Sequence, residues 1–159
     1  MVNYVWAMTT EHNEVTYHFN VAPPESTHQS ALRILKTKDG RHFVGKMKKA
    51  SVKQWETLWR IELRKQRPAK PIAKGVPVRL VVALFYTPPA SRPCKDIEWK
   101  VTKPDADNVV KAMIDCMVDE GYMETDQQVV DLRVMKMEWD RGGFVEVIAG
   151  IAKPFLPRG

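Results

Sequence analysis

Residues 76–86, VPVRLVVALFY, form an almost unbroken apolar run rich in β-branched side chains. Bounded by Gly75 and by Pro88-Pro89, the run reads as a strand buried on both faces, the centre of a sheet. On its N-terminal side, residues 50–66, ASVKQWETLWRIELRKQ, place Val52, Trp55, Trp59 and Leu63 at spacings of three and four. That spacing predicts an amphipathic helix, with Ser51 as its N-cap and Pro68 just past its end. Tryptophans at helical spacing are expected to pack inward, with Lys53, Arg60 and Arg64 on other faces. Further upstream, Val15, Tyr17, Phe19 and Val21 alternate with polar residues, as in a half-buried strand that Ala22-Pro23-Pro24 ends. Residues 32–44, LRILKTKDGRHFV, set Asp39-Gly40 between two partly apolar runs and predict a hairpin.

On the C-terminal side, Pro88, Pro89 and Pro93 mark a loop that runs to about residue 100. Residues 104–120, PDADNVVKAMIDCMVDE, predict a helix with Pro104 in its first turn and Gly121 as a left-handed stop. Residues 128–139, QVVDLRVMKMEW, and 144–149, FVEVIA, predict two more strands, joined by a turn at Arg141-Gly142-Gly143. No repeat, low-complexity tract or linker interrupts the chain. The expected fold is therefore a single α+β domain over residues 1–159, a mixed β-sheet packed against two main helices.

The 44% hydrophobic content over 159 residues supports a globular core. No stretch approaches the about 20 apolar residues that cross a bilayer, so no membrane partner is expected. The N-terminus, MVNYVWAMTTEHNEV, lacks a basic region followed by an apolar run, and a cytoplasmic location is expected. Two cysteines, Cys94 and Cys116, with neither a CxxC pair nor a His cluster, speak against zinc. Charge is unevenly spread. Residues 33–74 hold 14 Lys/Arg against 3 Asp/Glu, and the rest of the chain holds 11 against 16. The basic segment suits a polyanionic partner or, equally, a solvated helix and loops.

The chemistry concentrates in Lys103-Pro104-Asp105-Ala106-Asp107-Asn108. Two carboxylates flanking a helix entrance are placed either to cap it or to hold a cation. Asn108, Lys111 and Asp115 continue a polar stripe down one helical face, opposite Val109, Val110, Ala112, Met113, Ile114 and Met117. Asp126 precedes the following strand, so a helix–turn–strand return is expected to bring it back to the helix. Asp105, Asp107 and Asp126 make an all-oxygen donor set, which suits Mg²⁺, with Mn²⁺ as a substitute, over softer metals. Such ions neutralise phosphate oxygens and activate water. Lys111 is placed to add positive charge there, or else to pair with Asp115.

KPDADNVVKAMIDCM followed by YMETDQQVVDLRVMK resembles the signature of the RusA family of Holliday junction resolvases. That signature is a KPDxDNxxKxxxDxL helix, a short turn, an Asp-Asp-x-Gln-Val element and a strand. The resemblance is dense over residues 103–136. It implies a RusA-like fold and a Mg²⁺-dependent endonuclease that cuts a four-way junction symmetrically as a homodimer. It implies that Asp105, Asp107 and Asp126 bind the metal, that Lys111 is the essential lysine, and that Asn108 and Asp115 support them. Two departures stand out: Thr125 occupies the place of the first Asp of the Asp-Asp pair, and APPESTHQSALRI is poorer in charge than the family's loop. Lys46, Lys48, Lys49 and Lys53, with Lys100 and Lys103 beside the metal site, are the expected DNA phosphate contacts. Two other functions fit less of the sequence. One is a DNA-binding module of the same fold without turnover, which Thr125 would favour. The other is a phosphatase of small esters, which would not need the basic segment.

Overall fold

The computed structural model describes residues 14–25, 31–47 and 50–154. In chain order it has strands β1 (Glu14–Phe19), β2 (Ala31–Lys36) and β3 (His42–Met47), then helix α1 (Ala50–Lys65). Strands β4 (Val78–Tyr86) and β5 (Glu98–Trp99), helix α2 (Ala106–Asp119), a 3-10 turn (Asp126–Gln128), β6 (Val129–Glu138) and β7 (Phe144–Ile151) follow. Five strands make one sheet in the order β1-β7-β4-β6-β5, while β2 and β3 form a separate hairpin. The fold is the expected α+β domain with a mixed sheet and two helices.

The apolar run at 76–86 becomes β4, the middle strand, antiparallel to β7 and parallel to β6. A parallel neighbour requires a crossover, and α2 supplies it. The even-numbered side chains Leu80, Val82, Leu84 and Tyr86 pack with α1 and α2, while Ala83 and Phe85 join Met137 on the other face. Being covered on both faces is why the run shows no polar alternation. Helix α1 buries Val52, Trp55, Trp59 and Leu63, so the tryptophans are core residues as their spacing predicts. Trp55 Nε1 donates to Ala22 O at 2.8 Å, and Phe19 meets Trp59 edge-on at 4.7 Å.

Four details differ from the sequence reading. Ser51 lies inside α1, whose first residue is Ala50, and is not its N-cap. Pro104 precedes α2 and its N-cap Asp105, because the chain makes a separate turn over residues 102–104 before the helix begins. The Pro-rich loop contains the short strand β5, which pairs with Met137 and Glu138 of β6. Much of the basic charge on α1 is spent within the protein. Arg60 pairs with Asp119 at 2.6 Å, Arg64 with Glu120 at 2.8 Å, and Lys65 with the buried Glu62. Hydrogen bonding to Arg64 holds the Glu120 carboxyl below its ordinary range, against the burial that pushes it up.

Helix α2 ends as its glycine predicts. Gly121 adopts φ 82°, its N–H donates to Val118 O, and that of Tyr122 donates to Met117 O. This is the Schellman arrangement, which satisfies the last carbonyls and turns the chain toward β6.

Candidate active site

Helix α2 lies over β6 with its polar face turned to the outer side of the sheet. Between them runs a cleft of about 480 Å³. Asp107, Lys111 and Asp115 line it from the helix, and Asp126 from the turn before β6. Val110, Ile114, Val129, Leu132 and Val134 form its floor. Asp107, Lys111, Asp115 and Asp126 are all exposed. Among the described residues, neither Lys111 nor Asp115 has an ion-pair partner, so the alternative of a Lys111–Asp115 pair is not realised. Asn108 is half-buried and does not line the cleft.

Asp105 is the N-cap of α2 by backbone position, with φ −74° and ψ 134°, yet its side chain makes no capping hydrogen bond. The capping role that would explain this carboxylate is therefore absent. The helix entrance is held instead from β6. Lys136 Nζ donates to Thr102 O at 2.8 Å and also to Pro104 O. Sequence reading missed Lys136, because a lysine in a strand carries no sign of where its ammonium will be satisfied.

Asp126 is positioned by a different device. Thr125 caps the 3-10 turn: its hydroxyl accepts from Gln127 N–H at 3.1 Å. Gln128 Oε1 accepts from the backbone N–H groups of Thr125 at 2.9 Å and Glu124 at 3.0 Å. Its Nε2 donates to Ala73 O at 2.8 Å and Val76 O at 3.1 Å. This is a capping box, and Thr125-x-x-Gln128 was its legible signal. A threonine hydroxyl and an aspartate carboxylate both accept the same N–H at an N-cap. The departure at Thr125 therefore leaves the turn intact.

The other candidates fall out as follows. Lys53 and Lys103 are exposed, with no ion-pair partner among the described residues. Lys48 and Lys49 lie outside the described residues, as does the side chain of Lys46, whose backbone belongs to β3. Lys100 does not reach outward. Its ammonium donates to Glu138 Oε1 and Thr102 Oγ1, both at 2.9 Å, and sits 5.1 Å from the Tyr86 ring centre. Glu138 is almost fully buried and needs that partner, which corrects the expectation of a phosphate contact at Lys100.

Residues 22–148 match the family described as Endodeoxyribonuclease RusA. The chain belongs to the RusA family. Among curated proteins it is similar to "Crossover junction endodeoxyribonuclease rusA" of Lactococcus phage r1t, 33% identical over 76 residues. That stretch is 48% of this chain and 56% of the relative, so the match spans about half of each.

A divalent ion makes two demands on these carboxylates, of chemistry and of placement. Their chemistry suits a hard cation, since every donor is an oxygen. Their placement within one chain does not. Among the described residues, no three His, Cys, Asp or Glu side chains converge closely enough to hold an ion. The crossover explains why. Lys136 binds the carbonyl of Pro104, so the α2 entrance lies beside the C-terminal half of β6, whereas Asp126 precedes the first residue of β6. At about 3.3 Å per residue, the seven steps from Val129 to Lys136 separate the two ends by roughly 20 Å. In this chain Asp105, which does not line the cleft, and Asp126 therefore lie toward opposite ends of β6. The expectation that the three aspartates meet is not met inside a single copy.

Proposed function

We propose that the chain is a metal-dependent, structure-selective endodeoxyribonuclease that resolves four-way (Holliday) junctions by paired symmetric phosphodiester cleavage, working as a homodimer. The observation that carries the reading is the cleft itself. Asp107, Asp126 and Lys111 line one exposed groove, and among the described residues no ion pair neutralises Lys111. Asp105, Asp107 and Asp126 are the proposed metal-binding aspartates, with Mg²⁺, or Mn²⁺ in its place, as cofactor. The ammonium of Lys111 is the group of this chain that meets a phosphate oxygen and balances charge gathering there during cleavage. Asp115, one helical turn further on, supports Lys111 electrostatically. Lys53 and Lys103 are proposed to contact the DNA backbone, with Lys46, Lys48 and Lys49 as further candidates.

Two equivalent cuts in a two-fold substrate call for two equivalent sites, which a symmetric dimer provides. No described helix is long and apolar enough to cross a membrane. The module without turnover loses its motive, because Thr125 caps the turn as an aspartate would. The test incubates a fixed and a mobile four-way junction with Mg²⁺ and maps the nicks on each strand. Paired nicks at symmetric positions are expected, and Asp107→Asn should abolish them without abolishing junction binding in EDTA. Normal cleavage by Asp107→Asn, or binding with no cleavage in either Mg²⁺ or Mn²⁺, would refute the proposal.

A further inference from the structure

We propose that Trp99, outside the cleft, is a stacking surface for a nucleobase exposed at a DNA branch, and that it makes the chain prefer branched over linear DNA. The inference rests on the nuclease reading for its DNA substrate.

Trp99 differs from the other described tryptophans. The indole N–H groups of Trp55, Trp59 and Trp139 donate to the carbonyls of Ala22, Met113 and Lys95 at 2.8, 3.4 and 3.2 Å. Trp99 has neither such an acceptor nor a neighbouring aromatic ring among the described residues. It is 62% exposed, the only Phe, Tyr or Trp among the large apolar side chains described as exposed. Its backbone, by contrast, is fixed. Trp99 pairs with Met137 of β6, and Lys100 N–H donates to Lys136 O at 3.0 Å. The Lys100 side chain turns in to Glu138, Thr102 and the Tyr86 ring, while Lys136 holds the carbonyls of Thr102 and Pro104. Alternation then turns the neighbours of Lys100 outward, and Val101 is 91% exposed. A ring carried on a fixed backbone loses little freedom when it binds.

Position and charge select a base as the occupant. Six residue steps lead from Trp99 to Asp105, at most about 22 Å, which is roughly six base steps along one DNA strand. The ring and the acidic pair therefore reach the same few nucleotides. Lys103 lies between them, exposed and with no ion-pair partner among the described residues, and the carboxylate of Glu98 has Arg92 at 3.9 Å. An aromatic face beside a free cation is how unpaired nucleotides are held, through the base and the phosphate respectively. A base within a duplex is stacked on both sides and offers such a ring nothing. At a four-way branch the stack is interrupted, and a base face becomes available at small cost. An indole and one valine fall short of the roughly 800 Å² per partner of a stable protein interface, whereas one indole face matches one base.

The test measures binding by fluorescence anisotropy in EDTA, where cleavage plays no part, on a fixed four-way junction and on a linear duplex with the sequence of two of its arms. Trp99→Ala should weaken junction binding about tenfold and duplex binding less than about twofold. The slope of log affinity against log salt should stay the same, because no phosphate contact is lost. Trp99→Phe keeps an aromatic face and should recover most of the loss. Melting temperature and sedimentation of both variants should match the unaltered chain. Equal losses on the two DNAs, no loss on the junction, or no recovery with Trp99→Phe would overturn the proposal. So would a lower melting temperature for Trp99→Ala, which would make the ring structural, or a changed sedimentation, which would seat it on a second copy. If the unaltered chain binds the junction in EDTA but cleaves nothing in Mg²⁺ or Mn²⁺, the nuclease reading fails, and the junction–duplex difference still decides the role of Trp99. A chain that binds neither DNA ends both.

Discussion

Gln128 grips Thr125 through the backbone, its Oε1 accepting the Thr125 N–H at 2.9 Å, and so fixes the turn that carries Asp126. The same amide donates to the 72–76 loop, so one buried side chain serves five backbone groups. Gln128→Leu keeps the volume and removes every one of those partners. Each buried group left unmatched costs about 1–3 kcal/mol, and the loop can rehydrate some of them, so a net loss of about 2–4 kcal/mol is expected. Urea unfolding monitored by tryptophan fluorescence measures it. A loss below about 0.5 kcal/mol would show that the hub is dispensable.

Thr125→Asp restores the family's residue at this position and should leave both stability and cleavage near wild type, because either side chain accepts the Gln127 N–H. Thr125→Val keeps the shape and loses the acceptor, at about 1 kcal/mol. Thermal melts and single-turnover cleavage of a four-way junction check the pair. A large gain in cleavage with Thr125→Asp would mean that the missing carboxylate matters chemically and not only as a cap.

The parts of this fold that were legible are those where one local pattern decides the outcome. β4 showed itself by an apolar run with no polar break, α1 by Trp55 and Trp59 at helical spacing, and the α2 stop by Gly121. Of the polar stripe of α2, Lys111 and Asp115 line the cleft, whereas Asn108 does not. What stayed hidden depends on neighbours distant in sequence. β5 is two residues long and exists because β6 offers an edge at Met137 and Glu138. Lys100 looked like a surface cation because nothing local reveals that the buried Glu138 lies 2.9 Å away. The separation of Asp105 from Asp126 follows from the parallel β4–β6 crossover, which strand propensity does not disclose.

Lys100 and Lys103, three residues apart, should respond oppositely to mutation. Lys103 is exposed, and Lys103→Ala should weaken junction binding in EDTA while lowering the slope of log affinity against log salt by about one. Lys100→Met should leave that slope unchanged and lower the melting temperature, since it strips a buried carboxylate of a partner. Fluorescence anisotropy at several salt concentrations, with a melt of each variant, separates the two roles. A slope change in Lys100→Met would return that residue to the DNA surface.

Glu138 gives the acid limb of stability a defined origin. Its carboxyl is held below the ordinary value of 4.5, first by the hydrogen bond from Lys100, and further by the charges of Lys100 and Arg92, while burial opposes them. A group whose folded pKa is depressed binds fewer protons folded than unfolded across that interval. Its contribution is therefore complete above about pH 4.5 and is lost as pH falls through the lower folded value. Glu120, lowered chiefly by Arg64, acts in the same direction. The wild-type chain should lose stability steeply below pH 4.5, as read by urea midpoints from pH 7 to pH 3. Glu138→Gln should be less stable at pH 7, where Lys100 and Arg92 lose their anion, and its midpoint should fall less on acidification. Parallel acid limbs for the two proteins would show that Glu138 is not among the groups that set the response, and would place the whole effect on Glu120 and the exposed carboxylates.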